Sequence, residues 1–263
     1  MENVQESNNP EPPPFQFSLR TLLIGVTIFC VLLGLLVPVI RSAKEATELE
    51  QQHRNFKKLS LGMQSNCSAR LRLFAANGVD SSGKAIHRWR FQLVPYFERL
   101  PTYPPAVEVN WDPSVHWDDP MHSRLRKYPG FFCRFSGVDK TAPSETRTVA
   151  ITGPGTAFED GKTYKLEELP NDLIIIVETR NSGFHWMEPG DLDIRTMPRT
   201  IDAADGRGIA ANIGDRFHVI FADGSVWQLS TDVPFEEIEK FLTIDGAKRY
   251  DRDEVLGDYA TWR

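Results

Sequence analysis

The spacing of apolar residues divides the chain into three regions. Leu22 to Ile40 is a run of nineteen residues without a charge, bounded by Arg20 and Arg41. A helix of that length spans the hydrocarbon core of a bilayer. The apolar region of a cleaved signal peptide is shorter, roughly 7–15 residues, and ends in a small-residue cleavage site. Here the run ends in Pro38, Val39, Ile40 and Arg41, which predicts a retained anchor. Beyond it Leu49, Phe56, Leu59, Met63, Cys67, Leu71 and Phe74 recur at steps of three, four or seven. They line one face of a helix, and charged residues occupy most of the remainder. The stripe reads as a core-facing surface, with a coiled-coil partner surface as the alternative and Asn77-Gly78 as the stop.

After residue 78 the helical period gives way to short extended segments and turns. Trp89 to Phe97 suits a strand or a short helix interrupted by Pro95, and the prolines between Leu100 and Pro143 predict irregular structure. Thr148–Thr152 and Leu173–Val177 are strand candidates. Phe217–Phe221 and Ser225–Leu229 pair as a hairpin around Ala222-Asp223-Gly224, with a type I′ turn expected at Asp223-Gly224. Phe235–Leu242 reads as a short amphipathic helix. The predicted fold class is α+β, a long N-terminal helix packed on a small, mostly antiparallel sheet. Four segments result: a disordered, polar, Pro-rich tail over 1–18, a transmembrane helix over 19–40, its amphipathic continuation over 41–77, and a soluble domain over 78–263.

Composition narrows the functional classes. Apolar residues make up 41% of the 263, with 16 Phe and 6 Trp, enough to build a core outside the membrane. A net charge of -6, without a basic patch, argues against nucleic acid as a partner. With Cys30 inside the apolar run, only Cys67 and Cys133 remain for the domain. No CxxC pair exists for a structural zinc site, and a single Cys67–Cys133 bridge is left open against two small buried thiols.

Candidate chemistry is sparse. Gly153 to Thr163 (GPGTAFEDGKT) follows a strand, but Thr156 stands where a Walker A loop needs its first glycine, so no nucleotide is expected. Trp111 to His122 (WDPSVHWDDPMH) mixes His116 and His122 with Asp112, Asp118 and Asp119, ligand types for a metal without the spacing of a known metal motif. Asp202, Asp205, Asp215 and Asp223 near glycines read as turn formers and caps. His185 and His218 stand alone in sequence, and no Gly-x-Ser-x-Gly elbow occurs. No catalytic, cofactor-binding or metal-binding residue is therefore assigned, no cofactor is expected, and the chain reads as a non-enzyme.

Several segments, in order, resemble a large family of pilin-like proteins abundant in planctomycete bacteria, domain-of-unknown-function family 1559. They are RNFKKLSLGMQ (54–64), HRWRFQLVPYFE (87–98), WDDPMH (117–122), GPGTAFEDG (153–161), LIIIVE (173–178), HWMEPGDLD (185–193) and VIFADGSV (219–226). The resemblance implies a type IV pilin-like architecture whose long helix is half membrane-embedded and half packed on a sheet. It implies no enzymatic activity. Gln16 precedes Phe17 where prepilins carry Gly, and Thr21 holds the position of their Glu, so processing by prepilin peptidase is not expected. Ile213 replaces the His that precedes the retained Asp223-Gly224, while FSLRTLL (17–23) resembles uncleaved membrane leaders.

The expected role is that of a single-pass, pseudopilin-like protein of the inner (cytoplasmic) membrane, serving assembly, secretion or envelope interactions. Its partners would be the membrane, through the one N-terminal helix, and other proteins or further copies of itself through that helix. The alternative is a tethered ligand-binding or sensory domain that forms no filament. Arg41, Lys44, Arg54, Lys57 and Lys58 follow the run and only Arg20 precedes it, a bias that by itself would keep the domain inside. Long domains translocate despite such charge, and the resemblance implies export, so a cytoplasmic tail and a periplasmic domain are expected.

Overall fold

The computed structural model describes residues 18–70, 73, 77–79, 85–97, 112, 114–127 and 144–262. The chain divides into two compact units, Met1–Lys44 and Glu45–Arg263. A single helix, α1 (Leu19–Arg70), supplies the described part of the first unit and the beginning of the second. Ser18 caps it, its hydroxyl accepting from the Thr21 amide at 3.2 Å.

In the first unit every side chain from Leu19 to Lys44 is exposed. Thr27 and Ser42 turn their hydroxyls back onto the carbonyls of Leu23 and Val39, so these two side chains are satisfied within the helix, as an apolar solvent requires. Pro38 lies inside the helix, which membrane helices tolerate better than soluble ones. This helix is long and apolar enough to span a membrane.

In the second unit α1 buries Gln52, His53, Asn55, Phe56, Leu59, Ser60, Met63, Asn66 and Cys67, a stripe at helical spacing. Of the predicted stripe, Phe56, Leu59, Met63 and Cys67 are in the core and Leu49 is half-buried; Leu71 and Phe74 lie outside the described residues. Leu73 is already outside the helix, so α1 stops before the expected Asn77-Gly78. Asn77-Gly78 instead belongs to β1 (Asn77–Val79), which pairs with β2 (Ala85–Arg88) as a small hairpin. Trp89–Phe97 is a helix, α2, and α3 covers Ser123–Lys127.

The main sheet has six strands in the order β5-β3-β4-β6-β7-β8. They are β3 (Thr148–Thr152), β4 (Ile174–Glu178), β5 (Leu192–Asp193), β6 (Arg216–Phe221), β7 (Val226–Ser230) and β8 (Ala260–Trp262). Neighbours are antiparallel except β3 and β5, which makes the sheet mixed. The run Ile174 to Glu178 is buried at every position. Successive side chains of a strand point to opposite faces, so both faces of this central strand are covered. The expected 235–242 helix is shorter, α4 (Phe235–Glu239), and is followed by α5 (Ile244–Ala247) and α6 (Arg252–Leu256). Thr243 and Asp251 cap these last two through their side-chain oxygens.

The β6–β7 hairpin forms where expected, but its turn is not type I′. Type I′ needs positive φ at two central residues, whereas Gly224 alone in this turn has it, at 84°. The Gly224 amide bonds the Phe221 carbonyl at 2.9 Å and the Phe221 amide bonds the Ser225 carbonyl at 3.0 Å. The loop is therefore the three-residue kind closed by a glycine bulge.

Candidate functional site

Sheet register builds an extended polar feature in the core. Thr148 pairs with Glu178, His218 with Gln228, and Gln228 with Trp262. Glu178 and His218 are one step beyond the Val177–Val219 pair. Paired residues share a face, so Thr148, Glu178, His218, Gln228 and Trp262 form one row across five strands. Helix α1 lies on that row: Phe56 stacks on the His218 ring at 4.8 Å, and His53 meets the Trp262 ring edge-on at 4.6 Å.

Glu178 and His218 are both fully buried. One carboxylate oxygen of Glu178 accepts from the Gln52 side-chain amide and from the backbone and side-chain nitrogens of Asn212, both at 2.8 Å. The other accepts from the His218 backbone amide at 2.9 Å and from His218 Nδ1 at 2.8 Å. A carboxylate offers about four acceptor sites, so its capacity is filled, and a buried charge is stabilised by donors instead of a counter-ion. Because Nδ1 donates, His218 Nε2 carries a lone pair. The Gln228 amide nitrogen donates to it at 3.3 Å, and Gln228 Oε1 accepts from the Thr261 hydroxyl at 2.8 Å. One chain of hydrogen bonds thus runs from α1 through β4, β6 and β7 to β8.

His53 belongs to this site without joining that chain. It is 5% exposed, and its Nδ1 has no hydrogen-bond partner among the described residues. Burial above all pushes its pKa down to about 4.

The sequence-singled histidines and aspartates are otherwise committed to local structure. His185 accepts from the Met187 amide through Nδ1, bonds the Arg126 carbonyl through Nε2 and stacks on Trp117 at 5.2 Å. His122 is buried, with Nδ1 on the His116 carbonyl and Nε2 accepting from the Asp112 amide. His116 bonds Asp118 at 2.5 Å, and Asp119 caps the turn at Pro120–His122. No group of three or more His, Cys, Asp or Glu able to hold a metal occurs among the described residues; Trp111 lies outside them, as does Cys133 and with it the question of a bridge.

In the 153–161 loop the amides face inward. Gly155 donates to the Glu159 carboxylate at 2.9 Å, Thr156 to the Gly153 carbonyl, and Phe158 to the Thr156 hydroxyl. Glu159 occupies the place an anion would take, its carboxyl held low by Lys162 and the Gly155 amide. Asp205 and Asp223 accept from amides two residues on, as turn formers do. Asp202 sits at φ 54° and pairs with Arg180, while Asp215 lies beside Arg216.

A second buried polar cluster is structural in character. Arg90 of α2 pairs with Asp191 at 2.7 Å and donates to the carbonyls of Thr148 and Gly190, while the Ala150 amide also donates to Asp191. It fastens α2 and the segment before β5 to β3.

In the sequence His218 stands alone, and no motif marks Glu178, Gln52, Gln228 or Thr261 as its partners. The available signal was Glu178 itself, a charged residue closing the run LIIIVE (173–178). Comparison of the chain with models of protein families, with curated proteins and with solved structures finds no match.

Proposed function

We propose that this is a non-enzymatic, pseudopilin-like protein of the cell envelope, anchored in the inner membrane by Leu19–Ile40 and carrying its folded unit on the periplasmic side. Its role on this reading is in assembly, secretion or envelope interactions. The observation that carries the proposal is the division of labour along α1. Its first part presents apolar side chains with no protein over them, and its second part buries a regular stripe on a largely antiparallel sheet. The likeness to pilin-like family 1559 adds the expectation of export.

The saturated Glu178 carboxylate and the inward-turned 153–161 amides favour a scaffold over a substrate site. A second reading, a tethered ligand-binding or sensory domain, draws on Gln16 and Thr21, which depart from the leader that filament subunits use. Photo-crosslinking from the exposed positions Lys57 and Leu61 in intact cells separates the two. A ladder of homo-multimers or a reproducible adduct with a membrane protein supports the assembly role. Monomer alone supports the tethered sensor.

A further inference from the structure

His53 sits at the seam where α1 meets β6 and β8. Its ring is 5.5 Å from that of His218 and 4.6 Å from that of Trp262. It is 5% exposed, whereas Trp262 against it is 42% exposed. Its Nδ1 has no hydrogen-bond partner among the described residues. An imidazolium carries a proton on both nitrogens, so a charged His53 would hold a buried donor without an acceptor. The charged groups around it give no relief. Lys57, one turn on along α1, is itself a cation, and Glu50 is paired with Arg54 on the exposed side of the helix. β6 presents His218, whose Nδ1 is taken by Glu178 of β4, and Arg216, which pairs with Asp215. The Glu178 carboxylate already holds five N–H donors. β7 and β8 contribute Gln228 and Trp262, which carry no charge.

Water is the acceptor that remains, and one side of the seam is weak enough to admit it. α1 is fastened to the sheet by the Gln52–Glu178 and Ser60–Gly224 hydrogen bonds and by Phe56 on the His218 ring. β8 has three residues at the edge of the sheet, pairs with β7 at two positions across a bulge, and is tied by the Thr261 hydroxyl to Gln228. Leu256 of α6, fully buried, anchors the chain just before it.

We propose that His53 is an acid-operated latch: its protonation lifts Trp262 and β8 from the seam and lets water reach the ring, while α1 and the rest of the sheet stay in place. Displacing β8 bares the hydrogen-bonding edge of β7, a surface able to pair with a strand of another chain. Raising the pH closes the seam again.

The test is amide hydrogen exchange of the full chain in detergent at pH 7 and pH 4.5, read by mass spectrometry with labelling times scaled for the intrinsic rates. With His53 at about 4 when covered and 6.5 when wet, opening of the 260–262 segment should rise by up to roughly sixty-fold between these conditions. Peptides over Ile174–Glu178 and Arg216–Phe221 should keep their protection. In His53→Gln, which cannot take the charge, the rise at 260–262 should disappear. Equal protection of 260–262 at both pH values in wild type would overturn the proposal. So would a loss spread evenly over β4 and β6, or a rise that persists in folded His53→Gln.

Discussion

The hydroxyl of Ser60 on α1 donates to the carbonyl of Gly224 at the tip of the β6–β7 hairpin, 2.5 Å away. Gln64, one turn on, donates to the Asp223 carbonyl at 3.2 Å, and a Cβ on Gly224 would sit 1.5 Å from its amide nitrogen. Gly224 is thus required twice, for positive φ and for close approach of the helix. Gly224→Val should lower stability by about 1–3 kcal/mol, chiefly through backbone strain, since the Gln64 side chain can swing aside. Thermal denaturation followed by circular dichroism checks this; an unchanged melting temperature would contradict the need for positive φ at Gly224.

The same turn is held from its other side by Arg252. Its guanidinium meets Asp223 at 2.6 Å, Asp172 at 3.3 Å and the Ser225 hydroxyl at 2.8 Å, and lies 4.6 Å from the Phe221 ring centre. Burial would raise the Asp223 carboxyl, but hydrogen bonds from Arg252 and Ser225 outweigh it and hold it low. Arg252→Met should cost about 2–3 kcal/mol, because two partly buried carboxylates lose their partner. Arg252→Lys should recover only part of that, since an ammonium cannot reproduce the fork. Urea denaturation of the three proteins gives the ranking.

Glu178 is the acceptor on which five N–H groups converge. Glu178→Gln keeps the shape but turns one oxygen into a donor facing donors, and should cost about 2–4 kcal/mol. The distinguishing readout is the His218 imidazole nitrogen resonances, which should lose the Nδ1-protonated tautomer signature in the variant and retain it in wild type.

His53 makes stability depend on pH. Its folded pKa, about 4, lies below the ordinary value of 6.5, so between these values the unfolded chain binds more protons than the folded one. Its contribution is fully present above pH 6.5, declines as pH falls, and is lost once pH drops through about 4. The shift corresponds to roughly 3 kcal/mol across that window. Urea midpoints at pH 4, 5, 6 and 7 should fall toward acid in wild type, and His53→Leu should flatten that trend. An equal slope in both proteins would remove His53 as its origin.

Much of the fold was legible because its signals were local. The charge-free Leu22–Ile40 run, the Phe56–Cys67 stripe and the β-branched Ile174–Val177 segment each carry a period that one element satisfies. Elements defined by distant partners were not legible. β5 and β8 have two and three residues and exist as strands only because β3 and β7 offer edges. That α1 stops before Leu73 was hidden for the same reason: Asn77-Gly78 has turn chemistry but is used in a hairpin with β2. The polar row depends on register across strands far apart in sequence, and a one-residue slip would scatter Glu178, His218 and Gln228 over both faces.

On the proposed reading, one N-terminal helix holds the folded unit outside the cytoplasm. Alkaline phosphatase fused after Arg263 reads this directly, since that enzyme is active only where its disulfides can form. The assay is phosphatase activity in membranes washed with high salt and alkaline carbonate. Activity that stays with the washed membranes is the expected result. A full-length fusion that is inactive, or active only in the soluble fraction, would contradict the account.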